Sequence, residues 1–115
     1  MRKKAKKVLR PPPPAIRQIR QAITAMDLVC AGTLLKRWKF CGRPNCRCAQ
    51  DPAARHGPYY EWSRRQDGRL RHSLLSPQQA DKLARAISNH QRILALLTRW
   101  TLESARALKV KTEFK

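Results

Sequence analysis

Three of the four cysteines in this chain fall within Cys41-Gly42-Arg43-Pro44-Asn45-Cys46-Arg47-Cys48, and one of its three histidines, His56, follows a short loop later. Thiolate and imidazole are the ligands structural zinc takes, and a cysteine pair with four residues between its members lies inside the usual range for such sites. Gly42 and the Pro44-Asn45 step supply the tight turn that aims Cys41 and Cys46 at one point. Cys46-Arg47-Cys48 is a closer spacing, and both sulfurs converge only on a bent backbone. His56 completes a tetrahedral Cys3His set, one of the closed structural arrangements. The expectation is that Cys41, Cys46, Cys48 and His56 hold one Zn2+ ion.

The same residues admit other chemistry. A Cys46–Cys48 disulfide would be strained, because a bridge wants its α-carbons about 5.5 to 6 Å apart. A Cys41–Cys46 bridge is feasible but leaves Cys48 without a role. The N-terminus has no apolar run and no cleavage-site pattern, so nothing directs the chain to an oxidising compartment, and a cytoplasmic location is expected. Free buried thiols are the plain alternative, since cysteine is a common core residue. Cys30, eleven positions upstream of Cys41 in an apolar run, is the other candidate for fourth ligand and reads as packing. Arg37, Lys39, Arg43, Arg47 and Arg55 surround the cluster in sequence. Positive neighbours lower thiol pKa, and they would offset the net charge of minus one on a zinc Cys3His centre. A redox-active cysteine would gain from the same charges. His56 has no task in a redox sensor, and that favours the metal.

The segments CGRPNCRCA, DPAARHGPYYEWSRR and DGRLRHSLLSPQQA resemble an uncharacterised family of short bacterial proteins that carries Cys-Gly-x-Pro-x-Cys-x-Cys followed by His-Gly-Pro-Tyr. The likeness runs from about Leu34 to about Leu97. That family has no assigned reaction, and the resemblance implies a metal site at the matching positions, Cys41, Cys46, Cys48 and His56. It also carries a loose association with plasmids, phages and transposons. Cys30 and the basic N-terminal arm lie outside the likeness.

Positioning these ligands falls to a short chain. Its 115 residues leave room for one domain, expected over 15–108. Lys and Arg number 26 against 7 Asp and Glu, for a net charge of +19. Such an excess repels itself, and a polyanionic partner relieves it. No apolar run approaches the roughly 20 residues of a membrane helix, so a soluble protein without a membrane partner is expected. Residues 1–14 combine six basic side chains with a polyproline spacer, Pro11 to Pro14, and read as a disordered arm drawn to phosphates. Residues 109–115 read as a frayed basic tail.

Between these ends, Ile16, Ile19, Ile23 and Met26 recur at helical spacing, predicting a helix from Ala15 to about Val29 that Gly32 breaks. Thr33 to Phe40 reads as a strand, with Leu34, Trp38 and Phe40 on one alternating set and Leu35, Arg37 and Lys39 on the other. Tyr59 to Arg65 and Leu70 to Leu75 read as a hairpin about Asp67-Gly68. That turn sets Arg64 opposite Arg71 and Gln66 opposite Arg69. Like charges across a strand pair are unfavourable. With Tyr60 and Trp62 beside them, they suit phosphate contact and stacking on a base or sugar. Alternatively, Tyr59, Tyr60 and Trp62 cover a thin core.

Ser76-Pro77-Gln78-Gln79 is a helix start, serine as cap and glutamine three residues on. The helix is expected to reach about Leu108. Leu83, Ile87, His90, Leu94 and Leu97 form a heptad-like seam widened by Ile93, Leu96 and Trp100, enough to pack on the first helix and to meet a second copy. Arg85, Arg92, Arg99 and Arg106 make a basic stripe.

No catalytic constellation emerges. The acids are scattered, there is no glycine-rich phosphate loop, and a Cys48–His56 nucleophile pair is less apt than closed coordination. The chain therefore reads as a non-enzyme without a small-molecule substrate. The expected fold is α+β: a small three-stranded antiparallel sheet with a Cys3His metal loop, one N-terminal helix and one long C-terminal helix. The expected function is nucleic-acid binding, to DNA or RNA, mainly through the phosphate backbone. Its candidate residues are Arg37, Lys39, Arg43, Arg47, Tyr60, Trp62, Arg64, Arg69 and Arg71. The alternative is a protein-interaction accessory subunit of a mobile-element or recombination complex. Such a subunit would form a homodimer through its C-terminal helix and dock on a larger protein partner.

Overall fold

Proline opens the first helix: Pro13 has the extended φ and ψ of −55° and 153°, and Pro14 takes the first helical position of α1 (Pro14–Thr24). The computed structural model describes residues 11–111. The expected basic arm lies outside the described residues as far as Arg10, and the expected tail does so from residue 112. After α1 come β1 (Thr33–Lys39), two single 3-10 turns (Arg47–Ala49 and Pro52–Ala54), β2 (His56–Gln66), β3 (Arg69–Leu75) and α2 (Pro77–Ala107). The architecture is the expected α+β one, with a short first helix and a long last one. No helix among the described residues is long and apolar enough to cross a membrane.

α1 stops at Thr24, five residues before the end that its periodicity predicts. Thr24 Oγ1 bonds back to the Arg20 and Gln21 carbonyls at 3.0 and 3.3 Å, and the chain beyond finds partners elsewhere. The Cys30 N–H donates to the Ala86 carbonyl at 3.1 Å, and Asn89 Nδ2 donates to the Leu28 carbonyl at 2.9 Å. Ala25 and Met26 still bond back to the Gln21 and Ile23 carbonyls, and beyond them hydrogen bonds of Leu28 and Cys30 to α2 take the place of a continued helix.

The three strands form one antiparallel sheet in the order β1-β2-β3. Asp67 and Gly68 both have positive φ, 55° and 77°, the primed turn that an Asp-Gly hairpin favours. The register follows from it: Arg64 pairs with Arg71 and Gln66 with Arg69. Strand alternation then sorts the side chains. Leu34, Tyr60, Trp62, Arg64, Ser73 and Leu75 share one face. Leu35, Glu61, Ser63, His72 and Leu74 share the other. The first set is largely half-buried, and Leu34 lines a cleft with Ala84, Ile87 and Gln91 of α2. The second face stays open, with Leu35 and Leu74 exposed.

α2 begins with the reciprocal cap its sequence predicts: the Gln79 N–H donates to Ser76 Oγ at 3.1 Å, and the Ser76 N–H to Gln79 Oε1 at 2.9 Å. Its buried stripe is not the heptad seam. Ala80, Leu83, Ala86 and Leu96 are buried, whereas Leu94 and Leu97 are 52% and 46% exposed. At about 100° per residue Leu94 and Leu97 stay within about 40° of Leu83, so pitch does not separate them: the face they share is covered at Leu83 and open at Leu94 and Leu97. The described residues divide into two compact units: those up to Asp27 with those from Arg92 onward, and Leu28–Gln91. Ile16, Ile19 and Leu96 are the buried apolar residues of the first. The second holds the sheet, the cysteine loop and the first half of α2.

Candidate metal centre

Between β1 and β2 the backbone supplies the bend that the close cysteine spacing demands. Cys46 is extended, at φ −86° and ψ 141°, and the 3-10 turn Arg47–Ala49 begins immediately after it. One residue of tight turn swings Cys48 back toward Cys46. The Cys46 N–H donates to the Arg43 carbonyl at 3.2 Å, which closes the Arg43–Cys46 turn about Pro44-Asn45. Asp51 then caps the second turn by accepting from the Ala53 N–H at 3.0 Å. His56, the first residue of β2, pairs with Lys39, the last of β1, so the sheet carries the histidine to the mouth of the cysteine loop. Gly57 makes this approach possible. It sits at φ 136°, and a Cβ there would come within 2.8 Å of the Arg37 carbonyl and 3.1 Å of the Trp38 ring.

The ligand atoms of Cys41, Cys46, Cys48 and His56 all lie within 4.8 Å of one another. Cys41 Sγ and Cys48 Sγ are 3.5 Å apart, and Cys46 Sγ and His56 Nε2 are 3.2 Å apart. A tetrahedral ion with zinc-like bond lengths would set sulfurs about 3.8 Å apart and a sulfur and nitrogen about 3.5 Å apart. The four side chains are therefore close enough to hold one metal ion, and zinc is compatible with them. All four cysteines are free, which removes the disulfide alternative, and Cys30 is not part of the cluster.

Cys46 is poised as a thiolate. The Cys48 backbone N–H, followed by side-chain hydrogen bonds with Cys48, His56 and Cys41, brings its pKa from 9.0 down to about 6. Cys48 moves the other way. The Cys41 N–H, 3.4 Å from its sulfur, favours the thiolate, but burial and the neighbouring thiols outweigh it and the pKa rises. A cation held at the centre of the cluster would favour the thiolate form of both cysteines.

Residues 11–85 match the family described as a domain of unknown function, DUF6788. The chain belongs to the DUF6788 family. No curated protein and no solved structure matches it. The DUF6788 match takes in α1, the whole sheet, every candidate metal ligand and the start of α2, so the Cys3His loop lies wholly within the family's span.

The candidate nucleic-acid residues of this DUF6788 chain fall into separate groups. Lys39, Arg43 and Arg47 flank the metal loop and are exposed. Arg37 is bound to Glu61 at 3.0 Å on the open sheet face, and Arg47 to Asp51 at 3.6 Å. Tyr60, Trp62 and Arg64 share the face that carries Leu34. There Trp62 Nε1 donates to the Ala31 carbonyl at 2.9 Å, the Arg64 guanidinium lies 4.2 Å from the indole centre, and Arg64 also donates to Ser73 Oγ at 2.7 Å. Arg69 and Arg71 are exposed beside the hairpin turn and, like Arg43, make no ion pair among the described residues.

One constellation escaped the sequence. Ser63 and His72 are cross-strand partners with Oγ 2.8 Å from Nδ1, and Glu61 Oε2 is 3.4 Å from that same nitrogen. A relay needs the acid and the nucleophile on opposite ring nitrogens. Here both meet Nδ1, and the group ties β2 to β3. The hairpin register set by Asp67-Gly68 already places Ser63 opposite His72, and that was the signal that could have revealed it.

Proposed function

We propose that this chain is a small zinc protein that binds nucleic acid, mainly through the phosphate backbone. The observation that carries the proposal is the ring of exposed cations about a Cys3His cluster: Lys39, Arg43, Arg47 and Arg55 all border the loop that holds the ligands. Zinc closes that loop, and the closed loop presents the cations as a surface with few acids to offset them. Arg69 and Arg71, without acidic partners, extend the same charge along the hairpin. Phosphates are the anions that a net charge of +19 would most readily gather.

The decisive variant is Arg43→Glu combined with Arg69→Glu and Arg71→Glu. Arg71 faces Arg64 across the hairpin, so its reversal turns a repulsive pair into an attractive one, and the sheet should not weaken. Binding of a labelled oligonucleotide, followed by fluorescence anisotropy, should fall by about two orders of magnitude with thermal stability unchanged. Retained affinity would end the proposal.

A second function has its own support. Leu97, Trp100, Thr101, Ser104, Ala105, Leu108 and Val110 line an open groove of about 530 Å³ on the second half of α2, and Leu94 is exposed beside it. Such a stripe suits a homodimer or docking on a larger protein. Leu94→Glu with Leu97→Glu should then halve the mass seen by light scattering and leave the nucleic-acid affinity of the monomer intact. An unchanged mass would remove self-association.

A further inference from the structure

We propose that the metal end of the sheet is a stacking site for single-stranded nucleic acid, built by Trp38, Phe40 and Tyr59. The inference rests on the nucleic-acid reading above and adds which strand form is taken and by which side chains. These three rings are 50%, 54% and 40% exposed. Each has a cation over it: Lys36 Nζ lies 5.5 Å from the Trp38 ring centre, Lys39 Nζ lies 5.5 Å from that of Tyr59, and the Arg55 guanidinium lies 4.2 Å from that of Phe40. Tyr60 and Trp62 differ from them. They are half-buried, and Trp62 Nε1 is tied to the Ala31 carbonyl.

The placement of the three rings follows from the metal ligands. Phe40 immediately precedes Cys41, and Tyr59 follows His56 by three residues, so coordination at Cys41 and His56 would hold both carrier segments at one end of the sheet. Trp38 is fixed from below by Gly57, whose missing side chain lets the indole close on the β2 backbone. Arg37 pairs with Tyr59, and strand alternation directs Trp38 to the opposite side of the sheet from them. Trp38 is on β1, an edge strand, Phe40 lies just past the end of that strand, and Tyr59 is one strand in on β2, so the rings flank the edge at the metal end of the sheet.

That arrangement selects its ligand. A duplex is stiff over far more than this distance and keeps the faces of its bases within its own stack. A single strand bends around an edge and offers unstacked bases, any of which stacks on an exposed ring. The cation beside each ring sits where the phosphate of a stacked nucleotide must pass. Glu61 is the acid nearest in the sheet to Tyr59, and Arg37 already offsets it.

The test uses the full metal-loaded chain with an oligothymidylate of about 12 nucleotides and a duplex of the same length, at one salt concentration. The single strand should bind at least about tenfold tighter than the duplex. Trp38→Ala, Phe40→Ala and Tyr59→Ala should each weaken it by about tenfold or more with the salt dependence unchanged, whereas Trp38→Phe should keep most of the affinity. Photo-crosslinking of the unaltered protein to a 5-iodouracil strand should give adducts at these three residues, a result that owes nothing to the folding of any variant. Equal affinity for both forms, or crosslinks elsewhere, would overturn the inference and leave backbone binding standing. If neither form binds, the function proposed above fails as well.

Discussion

Removing the metal should unfold the loop between Phe40 and His56 and take most of the stability of the Leu28–Gln91 unit with it. Among the described residues, that unit buries only Cys48, Ala80, Leu83 and Ala86 as apolar side chains, three of them small. Such a core supplies little by itself, and small folds of this kind need a staple. Structural zinc in finger-sized peptides contributes about 10 to 16 kcal/mol of apparent binding free energy at neutral pH, all of it available to folding. Treatment with a chelator should therefore expose the loop to proteases and broaden the thermal transition. Cys46→Ser and Cys48→Ser should each purify with little or no metal by elemental analysis. Cys30→Ser should retain a full equivalent, because Cys30 is outside the cluster. Acid should act like the chelator, since protons compete for thiolates. Cys48, with its raised pKa, must release a proton when metal binds, and Cys46 begins to protonate near its pKa of about 6. Affinity should thus decline as pH falls and decline faster below about 6. Metal retained equally from neutral to acidic pH would contradict coordination by these thiols.

Nucleic-acid affinity should collapse with added salt. Each duplex phosphate neutralised contributes about −0.9 to the slope of log affinity against log salt. Lys39, Arg43, Arg47, Arg55, Arg69 and Arg71 are exposed cations at the metal loop and hairpin. If about six phosphates are met, the slope is about −5, and affinity drops by roughly 10³ between 50 and 200 mM salt. Arg37 adds less, because Glu61 holds it. The measurement is an anisotropy titration repeated at several salt concentrations, and a flat response would rule out backbone binding. Deleting residues 1–10, with their six basic side chains, should make the slope shallower without abolishing it. The stacking residues should instead change the intercept, so charge and stacking separate in one data set.

Local chemistry was legible from the residues. Asp67-Gly68 sets the turn and thereby the pairing of Arg64 with Arg71. Ser76 and Gln79 cap α2 within four positions of each other. The Cys3His cluster was legible for the same reason: fourteen residues lie between Cys41 and His56, and turn-forming residues among them leave few paths for the chain. Periodicity was less reliable. It carried α1 five residues too far, because Cys30 and Leu28 bond to α2 rather than extend the helix. It also placed Leu94 and Leu97 in the buried α2 seam, yet they are exposed, because periodicity marks a face of the helix without supplying what covers it.

What the residue order determines alone, then, is every feature made within a turn or a hairpin: the caps, the hairpin register and the Cys3His cluster. The tertiary structure decided which side of the sheet is covered. Alternation groups Tyr60 with Trp62 and Arg64, but both faces of this sheet carry apolar and basic residues, so nothing along a strand says which one α2 will meet. α2 lies beside Leu34, the Ala31-Gly32 segment and Arg64 close on Trp62, and among the described residues Trp38, Phe40 and Tyr59 are the exposed aromatic rings. Burial is a property of two surfaces meeting, and one strand's pattern specifies only its own.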